Sequence, residues 1–433
     1  MAQFRKDTHQ YLSDGKTIFE VMMLADQYGN LVGPANPSGT SVDAFGRNRM
    51  STPLTLFDSS YRYRDNNLWY TSNTAGTTYT FNANSGLMDL TLDTTSNSEI
   101  IRETTKVFSY QPGKSLLVLN TFVFNPTKTN LRQRVGYFGA QNGIFLEQDN
   151  TNIYFVQRSF VSGSIVDTKI SQSNWNIDPL NGTGPSLLTL DLSKAQIFWI
   201  DLEWLGVGSV RCGFVIDGKI IHCHSFHHAN LLTQTYITTA SLPLRYEIKN
   251  TGTVTSNSNL KQICSTVISE GGYELRGAQQ SIGTAITSAK ALATAGTYYP
   301  VVSIRLKSTH LDGIVILSAI SLQGLGNNTN YNWRVIADGT VTTAAWTDAG
   351  STSSVEYTLS GTAISGGRTL ASGYFSSSTQ SSMPVEILKE ALFKFQLERN
   401  SLTSTPVTLS LAVAASVDTS TVFGSIDWEE VSR

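Results

Sequence analysis

The chain has 433 residues, of which 40% are hydrophobic, 10% aromatic and only 15% charged, with a formal net charge of -2. That length exceeds what one hydrophobic core organises and that apolar content is too high for a disordered chain, so one small domain and a low-complexity polymer are both excluded. Near-neutral charge excludes the basic footprint of nucleic-acid binding, and charge well below the roughly one quarter usual in soluble domains leaves a surface of Ser, Thr, Asn and Gly suited to contact with neighbours.

Three cysteines cannot supply a disulfide framework for a chain this long. The start, MAQFRKDTHQYLSDGKTIFEV, carries acidic and polar residues where a signal peptide needs an apolar run, and no uninterrupted apolar stretch of about 18 residues occurs. The expectation is synthesis in the cytoplasm, without Sec export or a membrane span.

Short runs rich in Val, Ile, Phe, Tyr and Thr alternate with Gly, Asn, Asp, Ser and Pro clusters, which predicts an all-β chain. Residues 1–57 alternate candidate strands (TIFEVMML) with the turn-prone QYGN and PANPSGT. They read as an N-terminal assembly arm, with Phe45, Arg47, Arg49 and Phe57 as its candidate contact residues. Strands and turns then recur from 58 to 275 at the spacing of a jelly-roll-like β-sandwich, including LLVLNTFVF from Leu116 and IFWIDLEW from Ile197. Residues 276–296, with AQQSIGTAITSAKALATAG, are small and polar and read as a linker. A second, C-terminal β-sandwich is expected over 297–433, where Val407, Leu409, Leu411 and Val413 share one strand face. EILKEALFKF after Pro384 fits either a helix or an edge strand.

The sharpest local signal is VRCGFVIDGKIIHCH, in which Asp217 and Gly218 form a two-residue type I′ turn. Counting outward sets Ile216 opposite Lys219, Phe214 opposite Ile221, Cys212 opposite Cys223 and Arg211 opposite His224. In that register the two cysteines form a hydrogen-bonded pair, where disulfide geometry is strained, so a reduced buried pair is expected. Four of the six histidines lie in HCHSFHH. His222 and His224 would share one face, and three copies around a trimer axis would give six imidazoles, enough for an octahedral metal site. Arg211 beside His224 and the lack of a nearby carboxylate oppose that reading, and packed or interfacial histidines are the expectation, with no metal and no cofactor.

Asp201 and Glu203 stand two apart on a candidate strand, in the pattern of the E-x-D-x-E strand of jelly-roll glycosidases, but Trp199 occupies the position of the first Glu. Without that nucleophile the expectation is no enzymatic activity. Cys223 or Ser225 beside the histidines assembles no triad, because adjacent strand residues face opposite ways.

The stretches DAFGRNRMSTPLTLFDSSYRYRD, RETTKVFSYQPGKS, LRQRVGYFGAQNGIFLEQ, NWNIDPLNGTGPS and WLGVGSVRCGFVIDGKIIHCHSFHHAN resemble a family of virion structural proteins of tailed phages, including marine and cyanobacterial ones. The resemblance covers residues 1 to about 275, and ISGGRTLASGYF, from Ile364, looks like the C-terminal module of the same group. It implies a repeated subunit of a tail, baseplate, fibre, neck or capsid appendage, located in the virion, with other virion proteins as partners and no set of functional residues. WIDLEWLGVGSVRCGFVIDGKIIHCHSF also looks like the back half of a concanavalin-type jelly roll, which opens the alternative of an adhesin holding a host surface glycan against aromatic side chains. A homo-oligomer, a trimer first, is expected, with the arm clasping a neighbour. Deleting residues 1–55 is expected to leave a folded protein that no longer oligomerises; light scattering that shows the same assembly as the full chain would remove the arm's role.

Overall fold

Period-two alternation decides which side of each strand is buried. In the strand Leu116–Val123, Leu116, Val118 and Phe122 enter a core while Leu117, Leu119 and Thr121 stay half-buried on the opposite face. Throughout the computed structural model the strands pair antiparallel, and the one helical element among the described residues is the 3-10 turn Gln172–Asn174. The structure describes residues 51–274, 276–326, 328–377 and 395–431 and, as backbone pairing only, 9–11, 18–20, 24–25, 31–32, 383–385 and 432.

The chain divides into two units, residues 1–52 and 53–433. In the first, His9–Tyr11 pairs with Ile18–Glu20, and Leu24–Ala25 with Leu31–Val32. Phe45, Arg47 and Arg49 lie outside the described residues. Phe57 belongs to the second unit, not to an arm. Its strand, Leu54–Ser59, pairs with Ser258–Ser269, and its ring packs 6.0 Å from that of Trp69 and 4.9 Å from that of Phe108. The boundary therefore falls at Thr52 rather than at residue 57.

The second unit contains two sandwiches. One sheet of the first runs in the order 219–226, 210–216, 196–202, 116–123, 258–269, 87–92, 78–82, with 54–59 also bonded to 258–269. The facing sheet runs 166–171, 152–159, 143–149, 131–138, 244–250, 99–104, 69–73. Between them lies one core that includes Trp69, Phe122, Phe155, Phe198, Phe214 and Tyr246. This is the jelly-roll-like β-sandwich expected from the strand rhythm. The second sandwich packs 278–283, 420–432, 314–325 and 383–385 against 347–348, 355–358, 299–306, 409–415, 330–337 and 368–376 around Trp333, Leu411, Val413 and Trp428.

The stretch 276–296, expected as a linker, is instead part of the second sandwich: Ala278–Gly283 and Lys290–Leu292 both pair with the long strand Ser420–Ser432. Ladder hydrogen bonds come from the backbone, so small polar side chains suffice where one face is solvated. Of the stretch Glu386–Phe395, only Phe395 is described, buried in the second core; the helix-or-strand expectation otherwise lies outside the described residues.

The two sandwiches meet without a free connection. Val107 of the first packs with Ile314 and Ile316 of the second, and the Gln396 side chain donates to the Val107 carbonyl at 2.9 Å. Arg399, 2% exposed, donates to the Thr104 carbonyl at 2.7 Å and pairs with Glu103 at 3.0 Å, while Arg245 holds the other Glu103 oxygen at 2.9 Å. Removing one member of such a buried set strands the remaining charge. Arg399→Ala is expected to lower stability by about 3 kcal/mol or more, read as a lower chemical-denaturation midpoint; an unchanged midpoint would show that the joint contributes nothing.

Candidate functional site

Three strands at one end of the eight-stranded sheet, Gln196–Leu202, Val210–Ile216 and Lys219–Phe226, present an outward face whose rows follow from the register. Thr121, Ile197, Val215 and Ile220 line up across four strands; Leu119, Trp199, Gly213 and His222 form the next row; Leu117, Asp201, Arg211 and Ser225 form the third. The face thus changes along the strands from aliphatic to aromatic to charged. Gly213 is required in the middle row, because a Cβ there would lie 2.0 Å from the Ile221 carbonyl oxygen and 2.9 Å from the Trp199 ring. Trp199 is 5% exposed, its ring 5.7 Å from that of His222, and its indole N–H has no partner among the described residues.

The hairpin turn forms as the Asp-Gly pair dictates, with φ of 51° at Asp217 and 72° at Gly218. The pairing holds as far as Gly213 opposite His222, but a bulge beyond it shifts the rest: Cys212 faces His224 and Arg211 faces Ser225. This corrects the expected Cys212–Cys223 and Arg211–His224 pairs. Cys212 and Cys223 are both buried and unbridged, and burial pushes both thiols up. The third cysteine, Cys264, is exposed in a shallow groove of about 320 Å³ beside Leu119, Thr121 and Ile197.

The bulge also separates the two metal candidates. His222 faces outward, its Nε2 3.0 Å from the Ser225 hydroxyl. His224 turns inward between Phe155 and Phe226, 5% exposed, and its Nδ1 accepts the Asn176 backbone N–H at 3.2 Å. His228 stacks on Tyr236 at 3.9 Å with its ring nitrogens 2.6 Å from the Gly208 carbonyl and 2.7 Å from the Gln157 side chain. Of these four histidines, His227 alone is exposed. Among the described residues, no group of three or more His, Cys, Asp or Glu is arranged to hold a metal ion.

Next to the charged row lies a cleft of about 600 Å³ lined by Tyr110, Lys114, Asp201, Glu203, Arg211 and His227, among others. Asp201 and Arg211 are cross-strand partners joined by an ion pair. Burial raises the Asp201 carboxyl above its ordinary range, and the Arg211 guanidinium opposes that rise. Glu203, past the strand end, is exposed and accepts the Ser209 N–H at 3.2 Å; the Ser209 hydroxyl lies 3.1 Å from Nδ1 of His227. Tyr110 braces the wall, its hydroxyl accepting the N–H groups of Trp204 and Leu205 at 3.2 and 3.3 Å with its ring edge-on to Trp204. The cleft therefore offers hydrogen-bonding side chains of both charges on a preset frame. Asp201 and Glu203 were legible as a strand pair; Tyr110, Lys114 and His227 were not, because they reach the cleft from connections, Tyr110 and Lys114 from the one between 99–104 and 116–123 and His227 from the one after 219–226.

No family model matches this chain, and no curated protein matches it. Solved structures that resemble it include the Emp47p carbohydrate recognition domain (12% identity, 48% of this chain and 94% of that one, TM-score 0.32). Others are a Bacillus licheniformis beta-glucanase (14%, 49% and 96%, TM-score 0.31) and a legume lectin-like domain from Entamoeba histolytica (9%, 52% and 99%, TM-score 0.30). At such identities and scores these likenesses carry no argument about what this chain does.

His224 gives the site a pH signature. Burial lowers its pKa from 6.5 to about 4, so the unfolded chain binds the proton first. Its contribution to stability is present in full above pH 6.5 and is lost as pH falls towards 4. His224→Gln is expected to flatten the fall of melting temperature across that window, and a slope identical to that of the unaltered protein would refute the assignment.

Proposed function

We propose that this protein is a non-catalytic glycan-binding subunit of a tailed-phage particle, a repeated component of a tail, baseplate, fibre, neck or capsid appendage. Its first sandwich holds a host surface sugar in the cleft beside Asp201, Glu203 and Arg211. The observation that carries the sugar reading is the cleft itself: planar polar groups of both charges converge on a rigid sheet face, which is the chemistry that matches a ring of hydroxyls as donors and acceptors. The resemblance of residues 1–275 to virion structural proteins supports location in the virion, assembly as a homo-oligomer, a trimer first, and contact with other virion proteins. Binding rather than bond-breaking is supported by two features: Trp199 stands where a carboxylate nucleophile would be needed, and Asp201 is committed to Arg211.

On an array of neutral and acidic oligosaccharides, the full chain is expected to retain at least one class. Arg211→Ala, which leaves Asp201 unpaired, is expected to weaken that retention roughly ten-fold or more. Retention unaffected by Arg211→Ala and Glu203→Gln would remove the cleft from the reading. Release of reducing ends that vanishes in Glu203→Gln would replace it with a glycosidase. Absence of the chain from purified particles probed with its antibody would sink the virion assignment while leaving sugar binding intact.

A further inference from the structure

The second sandwich carries an arginine whose donors are uncommitted. Arg334, on the strand Asn330–Ala337, lies over the Tyr298 ring with its guanidinium carbon 4.1 Å from the ring centroid, and among the described residues it has no carboxylate partner and no hydrogen-bond acceptor. The same sandwich shows the satisfied form of this arrangement: Arg305 lies 4.0 Å over Trp346 and is also paired with Glu356 at 2.6 Å. Stacking fixes the plane of a guanidinium and leaves its edge free to donate. At Arg305 the edge is occupied by the chain's own carboxylate. At half-buried Arg334 no partner among the described residues occupies it.

The surroundings of Arg334 are those of a shallow seat. Asn332 and Arg334 share a strand face, with Tyr374 and Ser372 as their cross-strand partners on the edge strand Arg368–Ser376 and the buried Ala414 and Ala412 as their partners on the other side. Small alanines let the Tyr298 ring and the arginine stem lie low over the sheet. Asn332 is held in place by the Tyr298 hydroxyl, which donates to its Oδ1, and by its own Nδ2, which donates to the Gly373 carbonyl at 2.9 Å. Tyr374 stands beside this group 77% exposed, the largest exposure of any tyrosine but Tyr63 among the described residues.

The geometry points to a second ligand site here, one for a carboxylate-bearing sugar: the Arg334 fork takes the carboxylate through two parallel hydrogen bonds, and the Tyr374 ring takes the apolar face of the sugar. The site shares no residue with the cleft of the first sandwich and stands whether or not that cleft binds sugar.

The test uses the full chain with two acidic probes, trigalacturonate and sialyllactose, against neutral cellotriose, read by isothermal titration. At least one acidic probe binds, with an affinity that falls as salt rises, and cellotriose does not compete at equal concentration. Arg334→Gln weakens binding roughly ten-fold or more, Arg334→Lys does not restore it because an ammonium has no fork, and Tyr374→Ala weakens it as well. Both side chains sit on a solvated face, so unchanged melting temperatures separate these effects from misfolding. Glu203→Gln, whatever it changes in the cleft of the first sandwich, leaves intact the part of acidic-probe binding that Arg334→Gln removes. The proposal fails if neither acidic probe binds, if Arg334→Gln binds as tightly as the unaltered chain, or if Glu203→Gln alone abolishes binding. It fails too if inorganic phosphate displaces the probes at equal concentration, which would mark a general anion seat with no use for the sugar.

Discussion

One inserted residue, Cys223, decides which side chains of the strand Lys219–Phe226 meet solvent. Without the bulge, strict alternation from the Asp217–Gly218 turn would put His222 and His224 on one face and bring Cys223 opposite Cys212. With it, His222 stays outward beside Trp199, His224 enters the core, and Ser225 comes level with Arg211 and Asp201. Bulges re-aim side chains in this way at the cost of one unpaired residue. Ser225 joins the Asp201–Arg211 pair in the row that borders the cleft only because the shift occurs after Gly213, where the absence of a Cβ also makes room for the Trp199 ring.

A second constraint fixes the larger unit. Glu103 receives Arg245 from a neighbouring strand of its own sheet and Arg399 from the other sandwich, all three buried. Charges so placed are stable only while each keeps its partner, and this ties the orientation of one sandwich to the sheet of the other. The apolar contact of Val107 with Ile314 and Ile316 supplies the dry surroundings in which those pairs are strong.

Much of the fold was legible in the chain, and the reasons for the gaps are physical. Val407, Leu409, Leu411 and Val413 read as one strand face, and all four are buried in the structure; the Asp217–Gly218 turn was equally plain, because only a few turns accept that pair. The bulge was not legible, since nothing in Cys212, Gly213 or Cys223 distinguishes a paired residue from an inserted one. Small side chains over 276–296 suggested a tether because they bury little, whereas the partner strand Ser420–Ser432 pairs with their backbone. In the cleft, Asp201 and Glu203 were found by their spacing, while Tyr110 lies some ninety residues earlier and reaches the site through the sandwich topology, which no local pattern encodes.

The joint has a bearing on how such a molecule can be reassembled over time. A β-sandwich on a loose tether can be exchanged as a cassette, since its neighbour does not register the replacement. Here the segment from Glu103 to Val107 and the segment from Gln396 to Ser401 interlock, so a transplanted sandwich would arrive with an orphaned acid or an orphaned base. Shuffling would succeed only where both segments travel together.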